Sequence, residues 1–95
     1  MTDKKALDWF VYMIEADDGS YYTGISTDVE RRFDEHCGKL CGAKFFNGRS
    51  PVKIVYQEAE HNRSSASKRE FAIKKLSRLQ KQRLIDAQLS DPKHG

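Results

Sequence analysis

Ninety-five residues, 38% of them hydrophobic and 33% charged, make a single domain with a small core. That excludes multi-domain enzymes and large α/β barrels, and no apolar stretch approaches the roughly 18 residues that a membrane span needs. The net charge of +3 is unevenly spread: residues 1–50 carry seven Lys/Arg against nine Asp/Glu, and residues 51–95 carry ten against five.

Residues 1–8 are polar and predict a flexible N-terminus without the apolar core of a signal peptide. The expectation is a soluble, cytoplasmic protein with no membrane partner. Trp9–Ile14 is a run of β-compatible residues that is apolar on both faces, as in a central strand covered on both sides. Asp17-Asp18-Gly19 is a turn signal, and Tyr21–Ile25 is the return strand of a hairpin. A two-residue turn would oppose Tyr12 and Ile25 and put Tyr12 and Tyr22 on opposite faces. A three-residue connection, with Gly19 in the left-handed region, pairs Ile14 with Tyr22 and Tyr12 with Gly24; the spacing predicts this second register. Thr27-x-x-Glu30 reads as a capping box, starting a helix near Asp28 that stops at Gly38. Residues 38–50 hold three glycines and read as a loop. Pro51 opens a third strand, Val52–Tyr56. Ser64 and Ser65 are candidate N-caps of a helix reaching about Leu76. Ser77-x-x-Gln80 is a second capping box for a last helix toward Leu89, and Asp91-Pro92 ends the structure, leaving 90–95 as a flexible C-terminus. The domain is thus 9–89, in the order β-β-α-β-α-α: an α/β (α+β) fold around a small, mostly antiparallel sheet.

Two cysteines, Cys37 and Cys41, are too few for a disulfide scaffold. With His36 beside them they supply part of a zinc site, but four convergent ligands are wanted and only His61 and His94 remain. The charge is more telling. Arg63–Arg83 holds eight bases and one acid, Glu70, which is the footprint of a polyanion binder as well as of an ordinary solvated helix face.

Three groups of residues sit where a fold alone would not want them. Val29, Phe33 and Cys37 form an apolar stripe on the first helix. Arg32 and His36 flank that stripe, while Arg31, Asp34 and Glu35 point away. Arg32 is placed to hold a phosphate, or simply to cover the core edge with its stem. Glu70 lies on or beside the apolar face set by Ala66, Ala72, Ile73 and Leu76, where a carboxylate needs a partner: an arginine, or a cation. A single carboxylate with phosphate and water oxygens suits Mg²⁺. Tyr12 and Tyr22 form the third group, with Gly24 leaving open space on the same face.

These residues arrive in a familiar order: Phe10-Val11-Tyr12, then Tyr22-Thr23-Gly24, then Asp28-Val29-Glu30-Arg31-Arg32 with His36, then Glu70 in Ser64–Arg78. The chain resembles the GIY-YIG nuclease superfamily, and within it the small stand-alone YhbQ-like branch, over about Phe10–Leu84. Gly42-Ala43-Lys44-Phe45 with Pro51-Val52 fits that branch too. The resemblance implies a three-stranded antiparallel sheet flanked by helices and a DNA endonuclease using one Mg²⁺ or Mn²⁺ ion. Position by position it implies Tyr12, Tyr22, Arg32, His36 and Glu70 as catalytic residues, with Glu70 as the metal ligand. Phe10, Val11 and Thr23 replace the signature's Gly, Ile and Ile. The asparagine that many members carry after the metal-ligand helix is missing here.

On this reading the scissile phosphodiester lies over the Tyr12, Tyr22 and Gly24 face. Arg32 stabilises the developing charge, and Tyr22 or His36 accepts a proton from water. Lys44, Lys68, Arg69, Lys74, Lys75 and Arg78 hold flanking phosphates without sequence specificity. A protein partner would supply substrate choice, for branched, nicked or flapped DNA in repair or recombination. The rival readings are a nucleic-acid-binding module of the same fold with little or no turnover, and a protein-interaction domain with an acidic partner.

Overall fold

The computed structural model describes residues 7–38 and 48–90. The elements are β1 (Trp9–Ala16), β2 (Tyr21–Ser26), α1 (Val29–Gly38), β3 (Pro51–His61), α2 (Arg63–Lys74) and α3 (Arg78–Ser90). One antiparallel sheet runs in the order β2-β1-β3, so the most apolar strand is central. The fold class is α+β, as the element order predicts.

The side chains of β1 alternate between two cores. Val11 and Met13 face one side, against Ala66 and Ile73 of α2 and Ile85 of α3. Tyr12 and Ile14 face the other, against Val29 and Phe33 of α1. Both layers are needed because both faces of β1 are apolar. Among the described residues no helix is long and apolar enough to cross a membrane.

The hairpin takes the three-residue connection. Ala16 N–H donates to the Ser20 carbonyl at 2.8 Å, Gly19 N–H donates to the Ala16 carbonyl at 2.9 Å, and Gly19 has φ of 86°. Ile14 therefore opposes Tyr22, and Tyr12 opposes Gly24. This one residue of turn length decides that the two tyrosines share a face.

Local signals hold with small shifts. The α1 cap is Asp28, whose side chain accepts from Arg31 N–H at 3.1 Å, in place of Thr27. The α2 cap is Asn62, earlier than Ser64 or Ser65, and Ser65 completes the box as its third helical residue. The helix ends at Lys74, short of Leu76. The Ser77 and Gln80 box is present, with bonds of 2.9 and 3.2 Å. Two expectations shift further. β3 runs on to His61, five residues beyond Tyr56. Ala72 is exposed, so the buried stripe of α2 is Ala66 and Ile73. Most of the expected 38–50 loop, with Lys44 and Cys41, lies outside the described residues.

Candidate active site

Tyr12 is the centre of the site. Its ring is fully buried on the α1 face of β1, 6.2 Å from the Tyr22 ring and tilted 53° to it. The expected open space at Gly24 is filled. A Cβ there would lie 2.7 Å from the Tyr12 hydroxyl oxygen and 3.0 Å from the Tyr22 ring. Gly24 is needed because Tyr12 reaches across its pairing partner into the volume a side chain would take.

The Tyr12 hydroxyl is buried; no described residue meets it in full hydrogen-bond geometry, and the Arg32 guanidinium stands close enough to favour its ionised form. Burial pushes its pKa well above the ordinary phenol value; Tyr22 and Glu70 push the same way, and Arg32 pulls against them. Arg32 comes from α1 and Glu70 from α2, which pack on opposite faces of the sheet. The protein brings Tyr12, Tyr22 and Gly24 into contact, with Arg32 beside them, and Glu70 reaches the Tyr12 oxygen only through a small charge effect.

The two neighbouring arginines differ as their helix positions predict: the Arg31 side chain is 67% exposed and that of Arg32 34%. Glu35 does not point away. It binds Arg32 at 2.8 Å and Arg31 at 3.4 Å, fixing the Arg32 guanidinium beside the tyrosines. Glu70, 23% exposed, pairs with Lys74, one turn along α2, at 3.1 Å, where an arginine was the expected protein partner. His36 lies on α1 one turn beyond Arg32, but its side chain and Lys44 are outside the described residues.

The remaining basic residues are not equivalent. Arg69 turns inward: its Nε donates to both oxygens of Glu58, at 3.0 and 3.1 Å. Arg78 lies 5.2 Å over the Tyr21 ring and donates to the Gly19 carbonyl at 2.6 Å. Lys75 sits 4.4 Å over the Phe71 ring, and Lys68 is exposed.

The model of the GIY-YIG catalytic domain matches residues 8–83. The chain belongs to the GIY-YIG family. A UPF0213 protein of Desulfotalea psychrophila is 48% identical over 86 residues, 90% of this chain and 76% of that one. The UPF0213 protein YhbQ of Escherichia coli is 42% identical over 78 residues, 81% of this chain and 76% of its own. The solution NMR structure of a UPF0213 protein from Bacillus halodurans superposes with a TM-score of 0.53, at 39% identity over 83% of each chain. The chain is therefore a YhbQ-like member of a nuclease family. In this GIY-YIG chain the hairpin register joins Tyr12 with Tyr22 and Gly24, the residues that the resemblance assigns to the two signatures.

Sequence reasoning missed Tyr21, Thr23 and Lys81, which line a groove beside these residues. Their signal was present in part: Lys81 belongs to the basic run, and Tyr21 is next to a signature tyrosine.

Proposed function

We propose that the protein is a metal-dependent DNA endonuclease that hydrolyses phosphodiester bonds at the Tyr22, Arg32 and Glu70 cluster. The observation that carries this reading is the shared face on which the hairpin register brings Tyr12, Tyr22 and Gly24 together, with Arg32 held by Glu35 on the helix packed against that face. The donor set fits a divalent ion. Glu70 is a partly exposed carboxylate, and among the described residues no three His, Cys, Asp or Glu side chains form a metal cluster. One carboxylate with water and phosphate oxygens is a Mg²⁺ or Mn²⁺ arrangement of the single-ion kind. When bound, such an ion polarises a phosphoryl oxygen and neutralises charge.

The protein's own groups do the rest. Arg32 donates to the phosphoryl oxygens, whose charge grows as the water oxygen attacks phosphorus and the bond to the leaving oxygen breaks. The Tyr22 hydroxyl accepts a proton from the attacking water as its own proton passes to solvent, with His36 as the second group for that role, and a solvent water protonates the leaving oxygen. Tyr12 does not take it. Its hydroxyl is buried and its ionised form is disfavoured, so it acts as a positioning residue that sets the Tyr22 ring. Lys74 and Arg78 supply charge toward flanking phosphates, while the Nε of Arg69 is engaged by Glu58 and Lys68 and Lys75 lie on the opposite side of α2 from Glu70.

The Lys74–Glu70 ion pair favours a second reading, a binding module whose carboxylate is already neutralised. A cleavage screen on branched, nicked, flapped and single-stranded DNA with Mg²⁺ or Mn²⁺ separates the two. The nuclease reading expects cleavage by the wild type that chelator and Glu70→Gln both abolish. Binding without cleavage on every substrate identifies the module.

A further inference from the structure

Two hollows on the β2, α2 and α3 side of the protein lie next to each other as a shallow groove walled by common residues. The first, about 290 Å³, is lined by Tyr21, Tyr22, Thr23, Lys74 and Lys81. The second, about 220 Å³, is lined by Ser20, Tyr21, Arg78 and Lys81. They share Tyr21 and Lys81. Three cations line the pair, and no carboxylate among the described residues does. The groove starts at the candidate active site. Tyr22 is common to both, and Lys74 is the residue paired with Glu70.

The cations differ in what already occupies them. Arg78 is fixed on Tyr21 and the Gly19 carbonyl. Lys81 has no carboxylate partner among the described residues, so its charge is uncompensated along the groove. Thr23 forms part of the wall. It is 2% exposed, and its buried hydroxyl meets no hydrogen-bond partner among the described residues.

We propose that this groove is a phosphate subsite, in which Lys81 and Lys74 hold the backbone phosphate next to the scissile one. The substrate strand then leaves the active site across β2 toward the hairpin turn at Gly19. This deepens the nuclease reading and rests on it. It also separates the basic residues of α2. At 100° per residue Lys74 falls on the same side of the helix as Glu70, whereas Lys68 and Lys75 fall on the opposite side. Those two lie off the path.

The test is binding of a labelled single strand and a nicked duplex, in chelator, by fluorescence anisotropy over a salt series. Losing one phosphate contact weakens binding several-fold and lowers the slope of log affinity against log salt by about 1. The expected result is that loss for Lys81→Gln, recovery in Lys81→Arg, and a wild-type slope for Lys68→Gln. Equal losses for Lys81→Gln and Lys68→Gln overturn the subsite, since net charge alone then explains both. A wild type that binds and cleaves, with Lys81→Gln indistinguishable from it, overturns the subsite and leaves the nuclease reading standing. A wild type that neither binds nor cleaves overturns the nuclease reading, and the subsite with it.

Discussion

The Tyr12 hydroxyl occupies the place where a side chain at residue 24 would begin: a Cβ on Gly24 would sit 2.7 Å from it and 2.9 Å from the ring carbon that bears it. The ring is fully buried and cannot swing away without emptying the core under α1. Gly24→Ala is therefore expected to destabilise by about 1–3 kcal/mol, the usual cost of overpacking. Chemical denaturation measures it. In the Tyr12→Phe background the cost should fall, because the nearest atom is gone. An equal cost in both backgrounds would show that the hydroxyl is not the obstacle.

The same pair separates the roles of the tyrosines. Tyr12→Phe removes a buried hydroxyl that meets no described residue in full hydrogen-bond geometry, with the Arg32 guanidinium beside it, so thermal stability at pH 7 should change little. Cleavage should stay within about tenfold of wild type, whereas Tyr22→Phe should cost about 10²–10³ as a lost proton-accepting group. Alkaline pH provides a second readout. The folded pKa of Tyr12 is raised, so the unfolded chain ionises first, and stability falls once pH passes about 10, the ordinary phenol value. Tyr12→Phe should flatten that fall without removing it, because burial raises Tyr56 as well. An unchanged alkaline limb would place the Tyr12 hydroxyl in water.

Much of the site was legible because it depends on parity and on helix spacing. Alternation along two strands, with a Gly in a three-residue turn, suffices to bring Tyr12, Tyr22 and Gly24 together. A spacing of four along α1 suffices to prefer Arg32 over Arg31. What was not legible depends on long-range packing. Glu35 looked solvated, yet it holds Arg32. The Glu58 network was invisible because residues three apart in a regular strand face opposite ways. One extra residue of β3 between the Trp9–His61 and Val11–Glu58 pairings, with Glu60 at φ of 64°, lets Glu58 meet His61 at 2.7 Å. No alternation pattern announces such a bulge.

That network predicts an acid limb. The Glu58 carboxylate accepts from the Tyr56 hydroxyl at 2.7 Å, from Arg69 Nε and from His61 Nε2. Burial works against its charged form, but these bonds and the Arg69 charge outweigh it and hold the pKa below the ordinary carboxylate value. A depressed pKa gives stability that is present above about pH 4.3 and lost as pH falls through the folded value. Glu58→Gln should cost about 1–3 kcal/mol at pH 7, and the gap from wild type should narrow at about pH 3. Urea titrations at the two pH values measure it. A gap that is constant across pH would mean that packing, not charge, is what Glu58 supplies.

Glu70 tests the metal assignment apart from stability. Its ion pair to Lys74 at 3.1 Å joins a 23% exposed carboxylate to a 52% exposed lysine one turn along the same helix. Such pairs are worth about 0.3–0.5 kcal/mol, so Glu70→Gln should leave the melting temperature nearly unchanged. If Glu70 holds the ion, the same substitution should abolish Mg²⁺-dependent cleavage. Arg32→Ala should cost about 10²–10³ in rate, as the loss of a donor aimed at developing charge. Arg31→Ala should remain within a few-fold of wild type, because its side chain is 67% exposed and its partners are Asp28 and Glu35. Glu35 complicates the comparison: it binds both arginines, so removing Arg31 takes away one of its two bonds to arginine and should tighten Arg32 rather than release it. Equal losses for the two arginines, or full cleavage by Glu70→Gln, would place the chemistry elsewhere on the protein.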